Sequence, residues 1–176
     1  PATADITFRK VDESEQTKGL QGAEFLLYYE VEEEQGDKTT TYYYSDRGWV
    51  NDPDDATPIT VSADNGIFEI ESLKINTTYY LMEIKAPDGY KIPDKVIEIN
   101  WKKDGTPNPN IGGAPLLTGK LEDTDYYIIT NSTGVKLPET GGIGTTLVTI
   151  GGLMLMAAAV GGGYGLRRRW ERRGTN

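Results

Sequence analysis

The chain has 176 residues, room for one ordinary domain and a tail, and it contains neither Cys nor His. Without those residues the zinc, iron-sulfur and Cys or His nucleophile constellations lose their usual ligands and bases, so no metal, no cofactor and no enzyme turnover is expected. Residues 1 to 140 hold 13 of the 18 Lys and Arg but 26 of the 27 Asp and Glu, a net charge of −13 that repels phosphate backbones and excludes nucleic acid as a partner.

The chain opens on Pro1-Ala2-Thr3 without an initiating Met, and a secretion signal is expected upstream, because the tail described below needs an exported protein. Strands are predicted at 6–11, 25–31, 40–44, 67–70, 79–84, 96–101 and 126–130, all rich in β-branched and aromatic residues. Asn65-Gly66, Asp88-Gly89 and Asp104-Gly105 supply turn chemistry between them. Residues 52–55 and 106–115 read as loops, and the order of strands within 32–64 stays open. About seven or more strands and no convincing helix predict an all-β sandwich over residues 1–134.

Some local features have plainer readings than the functional ones they suggest. Asp52, Asp54 and Asp55 lack the ligand spacing and fixed glycine of a calcium loop and read as a solvated turn. The Tyr42-Tyr43-Tyr44 run reads as cross-strand packing ahead of ligand stacking.

Residues two apart on a strand share a face, so the apolar series of each strand shows which polar residues point inward. Lys10 continues the face of Ile6 and Phe8, Glu83 that of Tyr79 and Leu81, and Asn131 that of Tyr127 and Ile129. Burial of an unpaired amine, carboxyl or carboxamide costs several kcal/mol, so three such groups persist only by satisfying one another or by reacting. Desolvation drives Lys10 toward the neutral amine and Glu83 toward the neutral acid, which prepares attack of Lys10 Nζ on the Asn131 side-chain carbonyl. Glu83 would hydrogen-bond the carbonyl oxygen and relay protons to the leaving ammonia, giving an intramolecular isopeptide bond. The same periodicity also fits a Lys10 that bends to solvent, a plain Lys10–Glu83 ion pair, and an Asn131 that caps a turn. Asn100 is a rival acceptor, but it shares a face with Val96 and Glu98, opposite Ile97 and Ile99.

Tyr79-x-Leu81-x-Glu83-x-x-Ala86-Pro87-x-Gly89-Tyr90 resembles the E-box of CNA-B or SpaA-type pilin domains, and Gly22-Ala23-x-Phe25-x-Leu27 resembles their second strand. That resemblance implies an Ig-like or prealbumin-like β-sandwich. It also implies that Glu83 assists bonding between Lys10 of the first strand and Asn131 of the last. Such a bond closes a loop of about 120 residues and, by analogy with a disulfide, would replace the staple that a Cys-free secreted domain lacks.

Residues 143–166 carry no charge and would form a helix of about 36 Å, long enough to cross a hydrocarbon core of about 30 Å. Arg167, Arg168, Arg169, Arg172 and Arg173 follow, and the positive-inside tendency puts residues 167–176 in the cytoplasm and the domain outside. Before the span, in the linker 135–142, stands Leu137-Pro138-Glu139-Thr140-Gly141, where Pro138 imposes an extended, kinked backbone and Gly141 leaves the following bond open. The motif, the transmembrane helix and the basic tail together resemble the cell-wall sorting signal of Gram-positive surface proteins. The resemblance implies a sortase that cleaves between Thr140 and Gly141 and joins Thr140 to a peptidoglycan cross-bridge or to a Lys of a neighbouring pilin subunit. Membrane association then lasts only until cleavage. The expected function is a structural subunit of a sortase-assembled pilus or another wall-anchored surface protein. The alternative is the wall-proximal stalk of an adhesin whose host ligand is bound upstream.

Overall fold

The computed structural model describes residues 1–134, so the linker and sortase motif at 135–142, the span at 143–166 and the tail at 167–176 lie outside the described residues. The described residues form twelve strands: β1 (Thr3–Asp12), β2 (Glu24–Glu32), β3 (Thr39–Ser45), β4 (Gly48–Val50), β5 (Ile59–Thr60), β6 (Ile67–Lys74), β7 (Tyr79–Lys85), β8 (Ile97–Trp101), β9 (Pro107–Ile111), β10 (Ala114–Pro115), β11 (Thr118–Leu121) and β12 (Thr124–Asn131), the longer ones with apolar and polar side chains in alternation. One sheet has the order β11-β12-β1-β6; the other runs β10-β9-β8-β7-β2-β3-β4, with β5 paired to the start of β2. The two inner faces form an all-β, prealbumin-like sandwich.

Its core gathers Ile6 and Phe8 of β1, Phe25 and Leu27 of β2, Phe68 and Ile70 of β6, Tyr79 and Leu81 of β7, Ile97 and Ile99 of β8, and Ile129 of β12. Phe68 stacks between Phe8 and Phe25, each ring centroid 5.4 Å from its own, which joins the two sheets at the level just before Lys10. The first and last strands are parallel neighbours, with Lys10 opposite Ile129 and Asp12 opposite Asn131. That pairing sets the first and last strands side by side, with the chain entering at one end of the pair and leaving at the other.

All seven predicted strands are present, and the structure adds five. Residues 106–115, expected as loops, contain β9 and β10. Pro107 and Pro109 hid them because proline cannot donate to a ladder, yet β9 tolerates both on a margin where only two residues of β10 pair beyond it. In the uncertain region, β4 and β5 are short and β3 forms a hairpin with β2. Residues 53–55 form a single 3-10 turn, and the Asp52 side chain accepts from the Asp54 N–H. Tyr42 stacks on Tyr29 at 5.2 Å and Tyr43 meets Tyr28 at 5.6 Å, so the tyrosine run packs across strands.

Gly66 fixes the backbone of β1 at Lys10. The Lys10 N–H donates to the Gly66 carbonyl at 2.8 Å, and Gly66 has φ +79°. A Cβ at this position would stand 2.1 Å from the Lys10 carbonyl oxygen. Gly22 also has positive φ, +97°, but open space where a Cβ would go. Gly66→Ala is therefore expected to destabilise by more than about 1 kcal/mol, adding a backbone collision to the conformational cost that Gly22→Ala pays alone. Thermal unfolding of both variants checks this; equal losses would remove the close approach as a constraint.

Candidate functional site

Ile6 and Phe8 anchor the inner face of β1, Tyr79 and Leu81 that of β7, and Ile129 that of β12, and each strand then delivers one polar side chain to the same interior point. Lys10 is 0% exposed, Asn131 2% and Glu83 9%. Lys10 Nζ lies 3.3 Å from Glu83 Oε2 and donates to the Thr130 carbonyl at 3.1 Å. Asn131 Nδ2 donates to Glu83 Oε1 at 2.9 Å and to the Lys91 carbonyl at 2.7 Å. Each oxygen of one carboxyl therefore faces a different nitrogen, the amine on one side and the amide on the other.

This geometry corrects one expected detail. Glu83 meets the amide nitrogen of Asn131 and not its carbonyl oxygen. The cause is the Lys91 carbonyl, a second acceptor on the same side, which only the NH2 group can satisfy. Asn131 Oδ1 is left buried without a hydrogen-bond partner, and Glu83 Oε2 has the ammonium nearby but no aligned hydrogen bond.

Burial shifts both ionisable groups toward neutrality. Desolvation lowers the Lys10 pKa from 10.5 to about 8, against the opposing pull of the nearby Glu83 carboxylate. Desolvation likewise raises that of Glu83, against Lys10 and the bond from Asn131. The Phe25 ring, 5.9 Å from Lys10 Nζ, supplies a weak compensating contact for the cation. Proton exchange inside the Lys10–Glu83 pair is thereby made cheaper than it would be in water.

Complete burial removes the solvent-seeking Lys10 from the readings left open by periodicity, and the Asn131 carboxamide bonds to Glu83 and Lys91 instead of capping a turn. Asn100 points away on the outer face, where it bonds to Thr78 and Glu98. A cleft of about 460 Å³, lined by Phe25, Leu81, Ile97, Ile111, Ile128 and Glu83 among others, opens beside the site and offers a small molecule a route to solvent.

The E-box residues occupy one continuous stretch. Tyr79 and Leu81 are core, with the Tyr79 hydroxyl accepting from the Lys74 N–H at 3.2 Å. Ala86, Pro87, Gly89 and Tyr90 follow β7, and the Tyr90 N–H closes a turn onto the Pro87 carbonyl at 3.0 Å. Leu137, Pro138, Glu139, Thr140 and Gly141 lie outside the described residues. Sequence periodicity missed the Lys91 and Thr130 carbonyls, since backbone groups leave no residue-type signal. It also missed Arg9, 6% exposed on the opposite face of β1, which donates to Asn65 and Thr17 carbonyls and to the Tyr126 hydroxyl.

The SpaA prealbumin-like fold domain family matches residues 4–113, and the LPXTG cell wall anchor motif matches residues 129–170. Among solved structures, the pilus 2b backbone protein of group B streptococcus is 29% identical with a TM-score of 0.50, over 78% of this chain and 43% of that one. The shaft pilin spaA from Lactobacillus rhamnosus GG is 20% identical with a TM-score of 0.44, over 78% of this chain and 48% of that one. This chain thus spans less than half the length of either. No curated protein matches it in sequence.

The depressed Lys10 pKa carries a stability prediction for a chain that cannot crosslink, Asn131→Ala. Between about pH 8 and 10.5 the unfolded state holds the Lys10 proton more tightly than the folded state, so stability should rise with pH across that window. Chemical denaturation of Asn131→Ala against Lys10→Met/Asn131→Ala isolates the effect from other titrating groups. A difference that stays flat from pH 8 to 10.5 would contradict a desolvated Lys10.

Proposed function

The chain belongs to the SpaA-type prealbumin-like family and carries an LPXTG cell wall anchor on the surface of a Gram-positive bacterium, and from that premise we propose that it is the C-terminal domain of a pilus backbone subunit, locked by its own isopeptide bond. The named role of the group B streptococcal relative, a pilus backbone protein, supports the same role here. The observation that carries the bond is the single carboxyl whose two oxygens contact the Lys10 amine and the Asn131 amide nitrogen.

In the proposed reaction the Lys10 ammonium passes a proton to Glu83 Oε2 and becomes a neutral amine. Nζ adds to Asn131 Cγ, giving a tetrahedral intermediate with a surplus proton on Nζ. Glu83 gives its proton to Nδ2 and takes the surplus one from Nζ, the Cγ–Nδ2 bond breaks, and ammonia departs through the adjacent cleft. One C–N bond forms and one breaks, the proton that began on Lys10 ends on the Glu83 carboxyl, and no oxidant is needed. Reaction can occur once per chain, so Glu83 promotes a self-modification and no substrate turns over.

The tail supplies the second covalent step. Residues 143–166 and the basic residues 167–176 would hold the exported domain at the membrane while a sortase cleaves between Thr140 and Gly141 in the linker 135–142. Thr140 would then be joined to a Lys of the neighbouring subunit or to a peptidoglycan cross-bridge. The folded unit subject to tension is residues 1–134.

Intact mass of the wild-type chain is expected to fall short of the sequence mass by one ammonia. Glu83→Ala should retain the full mass and lose about 4–5 kcal/mol of stability, the worth of closing so long a loop. A wild-type mass without the deficit would refute self-crosslinking. For assembly, cells with sortase should yield a high-molecular-weight ladder on immunoblots that Thr140→Ala abolishes. A single wall-linked band would instead identify the wall-proximal stalk of an adhesin.

A further inference from the structure

The proposed reaction needs the Asn131 carboxamide turned so that its nitrogen faces Glu83, and the group that turns it is the Lys91 carbonyl. Lys91 lies in no strand. Three contacts position it: its N–H donates to the Ser132 carbonyl at 2.9 Å, the Tyr90 N–H before it closes the turn onto the Pro87 carbonyl at 3.0 Å, and the Tyr90 side chain reaches across to β1. The Tyr90 hydroxyl donates to Asp12 Oδ2 at 2.6 Å, a charge-assisted bond in the short range.

Asp12 is a well-held anchor. Its other oxygen, Oδ1, accepts from the Ser14 and Glu15 N–H groups at 2.7 and 3.0 Å, and its Cα stands opposite Asn131 in the parallel ladder. The Glu13 N–H then donates to the Asn131 backbone carbonyl at 2.9 Å. Lys18 Nζ stands 6.0 Å from the centroid of the Tyr90 ring, on the same turn that Asp12 begins. One short circuit therefore runs from Asp12 to the Tyr90 hydroxyl, along the chain to the Lys91 carbonyl, to Asn131 Nδ2, and back through the β12–β1 ladder to Asp12.

We propose that Tyr90 is a positioning residue for the crosslink: its bond to Asp12 holds the Lys91 carbonyl against Asn131 Nδ2, which presents the leaving nitrogen to Glu83. Without the latch, the segment after β7 keeps the Ser132 contact and the Tyr90–Pro87 turn but loses its side-chain tie to β1, and the Lys91 carbonyl holds the carboxamide less firmly. Tyr90 touches none of the reacting atoms, and its effect passes entirely through the Lys91 backbone. The circuit closes only when β12 has docked beside β1, so the amide is aligned for reaction only in the completed fold. This inference rests on the proposed Lys10–Asn131 bond.

The test uses the full chain, made by cell-free synthesis in detergent, quenched at intervals and read by intact mass. Wild type should lose one ammonia, and Tyr90→Phe, which removes one hydroxyl and keeps the ring, should lose it about tenfold more slowly, the rate equivalent of one charge-assisted hydrogen bond. Tyr127→Phe, which removes a hydroxyl bonded to the Pro107 carbonyl at 2.9 Å elsewhere in the sandwich, should keep the wild-type rate. A second readout separates positioning from general loosening. In the uncrosslinkable Lys10→Met chain, the side-chain NH2 of Asn131 should exchange with solvent faster when Tyr90 is also Phe, while core backbone amides exchange unchanged. Equal crosslinking rates for wild type and Tyr90→Phe, or unaltered Asn131 side-chain exchange, would overturn the latch. A wild type that never loses ammonia would overturn the bond itself, and the latch's role with it.

Discussion

An ammonium and a carboxyl, withdrawn from water and held 3.3 Å apart with a carboxamide against the same carboxyl, set the terms for the rest of this domain. Taking two charges out of water costs several kcal/mol each, and a single ion pair at that distance recovers only part of it. The remaining polar atoms must then be met by the surroundings, and here they are met incompletely. Lys10 gains the Thr130 carbonyl and Asn131 the Lys91 carbonyl, but Asn131 Oδ1 has no partner. Such an interior is poorly stabilised as three separate side chains. Conversion to one amide would remove both charges at once and leave a neutral group that buries at far lower cost.

The fold can impose this burial because its first and last strands are parallel neighbours. Phe8 and Lys10 of β1 lie opposite Tyr127 and Ile129 of β12, so their inner faces form one surface, and β7 approaches that surface from the other sheet. The stacked Phe8, Phe68 and Phe25 rings clamp the sheets together one step before the polar site. Gly66 lets the chain touch the Lys10 backbone where no side chain would fit. Lys10 therefore has little freedom to withdraw its amine toward solvent, because well-packed elements enclose it.

Much of this arrangement was readable from residue order, and the limits of that reading have physical causes. Period-two alternation fixed the inward faces of Lys10, Glu83 and Asn131, because each ends a series of large apolar side chains that must face the core. Alternation also separated Asn131 from Asn100, which sits on the outer face. It failed for β9, where prolines and asparagines mask a strand that lies near a margin and needs fewer ladder bonds. It failed again for the rotation of the Asn131 carboxamide. That rotation depends on a backbone carbonyl in an irregular segment, and nothing in the identity of Lys91 announces where its carbonyl will point. Arg9 escaped notice for a related reason: its cation is met by neutral acceptors that no charge pattern reveals.

The position of the site within the strand order bears on how the domain would carry load. Tension between the N-terminal side of β1 and the exit beyond β12 pulls two parallel neighbours in opposite directions, so the ladder from Phe8–Tyr127 to Asp12–Asn131 would be loaded in shear. Hydrogen bonds in that ladder act together but are individually worth about 1 kcal/mol net, and they reform only if the strands stay in register. A covalent link from Lys10 to Asn131 bypasses them. Force would enter along β1 as far as Lys10, cross to Asn131 and leave, while β2 to β11 hang on the loop between and bear none of it. The unpartnered Asn131 Oδ1, the drift of the buried pair toward neutrality and the placement at the end of the last strand would then share one rationale. A bond at the final residue of β12 would leave no length of strand beyond it exposed to shear without protection.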